Sequence, residues 1–159
     1  MKENDAILYL LIGLPRSGKS TWTEENKEKL DAVVVSNDWI RENILHAPNS
    51  KSTEPIIWTI ADSAMRIMLS QGQNVIYDGV NHTSFVRKFF IDMAEECGAK
   101  IVPVHVNTSL DVCLERNRTN KKLPDSVLIR MASEAEGMNF NEYDRCETIM
   151  IIKRLGEQG

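Results

Sequence analysis

Apolar runs of strand length alternate with helical periodicity along the whole chain. ILYLLI, Ile7 to Ile12, is continuous enough for a strand buried on both faces. Ala32–Val35 reads as a second strand, Asn74–Tyr77 as a third, Ile101–Val106 as a fourth and Thr148–Ile152 as a fifth. Pro103 predicts an irregularity within the fourth. Between them, Ile56, Ile57, Ile60, Ala64, Ile67 and Met68 share one helix face, stopped at Gly72. Phe85, Val86, Phe89, Phe90, Met93, Ala94 and Cys97 mark another helix, stopped at Gly98. Shorter helices are expected over WIRENIL, from about Ser109 to Asn117, and through Val127, Leu128, Met131, Ala132 and Ala135. HAPNSKST and RTNKKLP are too polar for elements. The alternation predicts an α/β fold, a three-layer open parallel sheet of about five strands forming a single domain over 1–159. Right-handed crossovers would bring all strand ends to one edge, where ligands of such sheets sit.

The turn after the first strand carries the clearest chemistry. Gly13, four residues, then Gly18, Lys19 and Ser20 have the spacing of a phosphate-binding P-loop. With Gly at about 7% of residues, the four fixed positions coincide by chance about once in two hundred chains of this size. The glycines let backbone N–H groups turn inward on an anion, and the following helix adds its positive end. Lys19 is expected on the β- and γ-phosphates of a nucleoside triphosphate, ATP by default, and Ser20 on Mg²⁺. Gly13, Pro15, Ser17, Gly18, Lys19, Ser20 and Thr21 form the expected nucleotide cradle.

Charge narrows the partners. A net charge of −4 and a pI near 5.4 provide no global field for nucleic acid, so a polyanionic acceptor must meet local cations. No apolar run approaches the roughly 20 residues of a membrane span, and MKENDAI does not read as a secretion signal. Cys97, Cys113 and Cys146 are widely spaced, without a metal-ligand pattern, and read as reduced thiols of a cytoplasmic protein.

What happens to the γ-phosphate depends on the other strand ends. A guanine-specific switch normally carries Asn-Lys-x-Asp, and Asn120-Lys121-Lys122-Leu123 fails at its last position. A helicase or AAA motor usually has Asp-Glu after an apolar strand, whereas Asp78 is followed by Gly79. Transfer to an acceptor is therefore favoured over hydrolysis. Asp38, after strand two, reads either as the general base for an acceptor hydroxyl or as a first-turn acid stabilising its helix. Arg41 shares its helix face and reads as an anion contact or a solvated cation. Asp78 and Asn81 are candidate site residues or ordinary turn formers, and Arg87 an acceptor contact or part of a charged face. Arg116, Arg118, Lys121 and Lys122 are the densest cations and suit a lid, about 116–125, or a solvated loop.

GLPRSGKST at 13–21, SNDWIR at 36–41, YDGVNHTSFVR at 77–87 and RNRTNKKLP at 116–124 together resemble the P-loop kinase domain of polynucleotide 5′-hydroxyl kinases and related small kinases. The resemblance spans nearly the whole chain. It implies Asp38 as general base, Arg41 on a phosphate of the acceptor strand, Asp78 as support for Arg41, and Arg118, with Arg116, as lid arginines. Asn81 and Arg87 match a looser Asp-x-Thr-Asn…Arg pattern, with Val80 in place of threonine. The resulting expectation is an ATP- and Mg²⁺-dependent kinase of a nucleic-acid 5′ end. A kinase of a small metabolite or nucleoside keeps the same chemistry, supported by the acidic pI and by the lack of a recognisable row of exposed aromatics for stacking bases. A nucleotide-gated binding module without transfer activity is the remaining alternative.

Overall fold

The computed structural model describes residues 4–46, 52–119 and 123–153. The elements in chain order are β1 (Ile7–Ile12), α1 (Lys19–Asn26), β2 (Ala32–Ser36), α2 (Asn37–Asn43), α3 (Glu54–Ser70) and β3 (Asn74–Asp78). They continue with α4 (Ser84–Glu96), β4 (Lys100–Asn107), α5 (Leu110–Thr119), α6 (Asp125–Glu134), α7 (Phe140–Arg145) and β5 (Met150–Lys153). The five strands form one parallel sheet in the order β2-β3-β1-β4-β5. The expected α/β open sheet is the observed one.

The central strand shows why its sequence is apolar throughout. Leu8 and Leu10 face a core built with Ile57, Ala61, Met65 and Leu69 of α3 and Phe90, Met93 and Ala94 of α4. The alternate residues, Tyr9 and Leu11, face Trp22 of α1 together with Ile76, Val102 and Val104. A strand covered on both faces has no polar side to present. Edge strand β2 is less protected, and Val33 and Val34 remain exposed.

Pro103 produces no break in β4. It stands opposite Leu10 of β1, and pairing with β5 begins only at Val104, so its missing N–H costs no ladder bond on that side. Helix α7 lies in a stretch for which the sequence pattern predicts no element. Among the described residues, no helix is long and apolar enough to cross a membrane.

Candidate active site

All strand ends point to one edge, and the P-loop occupies its centre. Gly13 donates its N–H to the Val80 carbonyl of the β3–α4 loop at 3.0 Å. A Cβ at position 13 would stand 2.7 Å from Ser17 Oγ and 2.9 Å from the Val106 carbonyl, so glycine is required by close approach. Gly18 starts α1 at φ 107°, a left-handed conformation that frees the first N–H groups of the helix. The Thr108 hydroxyl donates to the Ser17 carbonyl at 2.7 Å, and Arg116 Nη1 to the Arg16 carbonyl at 2.9 Å. The loop is thus braced from the β4–α5 connection and from α5. Pro15 is half-buried in its wall and Thr21 is exposed on α1.

Lys19 is buried, and its Nζ donates to the carbonyls of Gly13 and Leu14, each at 2.8 Å. Burial pushes its ammonium down to about 8, against the opposing pull of Asp78. The Ser20 hydroxyl donates to Asp78 Oδ2 at 3.2 Å. Burial raises the Asp78 carboxyl, while Lys19 and the Ser20 hydrogen bond act in the other direction.

These residues fit a nucleotide and its metal. Ser17 Oγ is buried without a hydrogen-bond partner inside the cradle. A hydroxyl and a carboxylate, Ser20 and Asp78, offer hard oxygen donors, and Mg²⁺ characteristically takes one or two protein oxygens with the rest from phosphate and water. Among the described residues no cluster of three or more His, Cys, Asp or Glu could hold a metal alone.

The second group of residues follows β2. The Ser36 hydroxyl caps α2, accepting from the Trp39 N–H, and this places Asp38 in the first turn with its side chain 86% exposed. Arg41 pairs with Asp38 and with Glu54 at the start of α3. The resemblance implies Asp78 as the support of Arg41. The structure gives that place to Glu54, because Asp78 is turned toward Ser20 and Lys19. Asp38 follows β2, two strands from the P-loop that follows β1, and its charge is felt by both Lys19 and Asp78. Asp38 is thus a first-turn acid of α2 with an exposed carboxylate.

Asn81 and Arg87 have other work. Asn81 is buried at φ 48° and donates its side-chain amide to the Leu11 carbonyl at 2.7 Å, tying the β3–α4 loop to β1. Arg87 is 1% exposed. Its Nε donates to Glu142 of α7 at 2.7 Å, and its two terminal nitrogens to the Asn81 and Gly137 carbonyls, each at 3.2 Å. The expected acceptor contact is corrected on this point, since a guanidinium sealed against Glu142 cannot reach a ligand. The same clasp includes the Glu136 N–H on the His82 carbonyl at 2.7 Å.

The cations of the expected lid separate. Arg116 braces the P-loop, Arg118 is exposed in the last turn of α5, and Lys121 and Lys122 lie outside the described residues. Asn117, fully buried, donates to the Leu123 carbonyl at 2.8 Å and to Asp125 Oδ1 at 3.1 Å, joining α5 to α6. Sequence reasoning missed Glu54, Thr108 and Glu142. The spacing Asn139-x-x-Glu142 is a helix-start signature that could have located the last.

A family model described as an AAA domain matches residues 8–137, a span that contains the P-loop, Asp38, Asp78, Arg116 and Arg118. The chain belongs to this AAA-domain family. The Asp-Glu pair of a hydrolytic motor is still missing from this AAA domain, since Gly79 follows Asp78. It is 28% identical over 131 residues to an L-seryl-tRNA(Sec) kinase of Methanococcus maripaludis. That match takes in 79% of this chain but only 51% of the relative, so the chain spans about half the length of the curated protein. Among solved structures it resembles the Pnkp1/Rnl/Hen1 RNA repair complex, with a TM-score of 0.74 and 20% identity over 84% of this chain and 45% of the other. It also resembles the APS kinase CysC of Mycobacterium tuberculosis, solved with AMPPNP and APS, with a TM-score of 0.66 and 16% identity over 99% and 94%. The fold of this AAA domain is that of the small P-loop kinases.

Proposed function

We propose that this AAA domain is an ATP-dependent phosphotransferase whose acceptor is the 5′-hydroxyl of DNA or RNA. The observation that carries the reading is the pairing of an exposed carboxylate, Asp38, with a cation anchored beside it, Arg41, just after β2 and two strands from the P-loop that follows β1. Arg41 suits a phosphate of the acceptor strand, which brings the terminal hydroxyl to Asp38. The acceptor oxygen then bonds to the γ-phosphorus as the bridging bond to the β-phosphate breaks. Its proton passes to Asp38 and ADP leaves. Lys19 and Arg118 balance charge on the transferring group, so most of the work is positioning and electrostatics. Mg²⁺, held by Ser20 close to Asp78, would neutralise phosphate charge there.

The likeness to a seryl-tRNA kinase supports a second acceptor, a small hydroxyl-bearing group, reached by the same Asp38. One assay addresses both: transfer of labelled γ-phosphate to a 5′-hydroxyl oligonucleotide, to seryl-tRNA and to a metabolite panel. Asp38→Ala should lower transfer by about 10²–10⁴-fold, the range of positioned proton transfer, with ATP affinity within twofold. Full transfer by the variant sinks the base assignment, and labelled metabolite without labelled oligonucleotide moves the acceptor to the second reading.

A further inference from the structure

The sequence shows no row of exposed aromatics, yet the structure contains one. Trp58 of α3 and Phe85 and Phe89 of α4 are 36%, 85% and 41% exposed and line a groove of about 600 Å³ between the two helices. Both helices begin at the strand-end edge, and the rings lie in their first two turns.

The groove is joined to the candidate acceptor site by two links. Trp58 stands one helical turn after Glu54, the partner of Arg41. Its ring also meets Tyr77 at 6.1 Å between centroids, and Tyr77 lies in the field of Asp78, Asp38, Glu54 and Arg41. Trp39, next to Asp38, is itself 58% exposed.

The charges of the groove say what it takes. Asp62 is paired with Arg66 at 2.9 Å, and Asp92 with Lys88 at 2.7 Å and with Arg145. Every cation here is already committed to a carboxylate, so the groove has little to offer a phosphate. Flat aromatic walls suit a neutral planar ring, the face that every nucleobase presents.

We infer that this groove holds the nucleobases adjoining the acceptor hydroxyl, stacked on Trp58, Phe85 and Phe89 while Arg41 holds the backbone. The inference rests on the proposed transfer to a nucleic-acid 5′ end. A stacked base is worth about five- to hundredfold in affinity by alanine substitution.

The test is equilibrium binding, by fluorescence anisotropy, of two 3′-labelled 5′-hydroxyl oligonucleotides. One carries natural bases and the other is abasic at its first three nucleotides. The wild type should prefer the natural strand by about tenfold or more, Phe85→Ala should lose most of that preference, and Phe85→Trp should restore it. Phe85 is almost wholly exposed, so its truncation leaves no cavity. Equal binding of the two strands by the wild type, no binding of either, or an undiminished preference in Phe85→Ala would each overturn the groove assignment. Binding through Phe85 without phosphoryl transfer keeps the groove and removes the kinase reading. Transfer with equal KM for both strands does the reverse.

Discussion

Arg87→Met separates two readings of one arginine. The Arg87–Glu142 pair is sealed, with side chains 1% and 7% exposed. Removing one member of such a pair costs about 3–5 kcal/mol, because it leaves an uncompensated buried charge. The Asn81 and Gly137 carbonyls lose their donors as well. For a domain of this size each kcal/mol shifts the melting temperature by about 2–4 °C, so a loss of about 6–20 °C is expected. Thermal and urea unfolding would measure it, and both should report the same destabilisation. The apolar double variant Arg87→Met/Glu142→Leu should recover most of the loss, since replacing both members removes the stranded charge. A contact to the acceptor would behave differently. If Arg87→Met melts within about 2 °C of the wild type, outside the range above, and instead raises the acceptor KM, the scaffold role is refuted and the ligand role restored.

Three further outcomes follow from the site. Gly13→Ala forces a Cβ against the Val106 carbonyl at 2.9 Å, backbone that cannot yield; overpacking of about 1–3 kcal/mol is expected, read as a lower melting temperature and weakened ATP binding, and unchanged titrations of both would refute it. Burial holds Lys19 at about 8, and phosphate binds its charged form. ATP binding should therefore take up a proton above pH 8, its affinity falling by about tenfold per pH unit there and staying level below pH 7; calorimetry in buffers of different ionisation enthalpy checks this, and a flat profile to pH 9 contradicts it. Glu54→Gln removes the charged anchor of Arg41, which is partly solvent-screened. It should weaken acceptor binding by about three- to tenfold with ATP affinity unchanged, and equal loss of both ligands would mean that Glu54 supports the fold instead.

The sheet was legible because each of its strands is a run that no helix pattern explains, and the P-loop because backbone geometry ties glycine and lysine to fixed spacing. Side-chain fates were less so. Arg87 looked like a surface cation because its partner, Glu142, lies 55 residues further on. The resemblance implies Asp78 as the support of Arg41, whereas the partner in the structure is Glu54, 13 residues beyond Arg41 in the chain. Helical periodicity put Phe85 and Phe89 on the same face as Phe90, yet only Phe90 is buried. A stripe read from sequence is wider than the strip of sheet it can cover, and the residues at its margin become the walls of a groove. Helix α7, six residues long, is too short for any period to register.

The braces of the P-loop also set when it can exist. Ser20 waits for Asp78, the Ser17 carbonyl for Thr108 and the Arg16 carbonyl for Arg116, at separations of 58, 91 and 100 residues. A ribosome adding about 5–20 residues per second leaves the loop without its last brace for about 5–20 s after it is made. Within that interval β1 lacks its neighbour β3 until residue 78 has been made and its neighbour β4 until residue 107 has been made. Nucleotide cannot template the early chain, because the cradle that would hold it is completed by residues made late. Binding energy from ATP then stabilises only a nearly finished molecule.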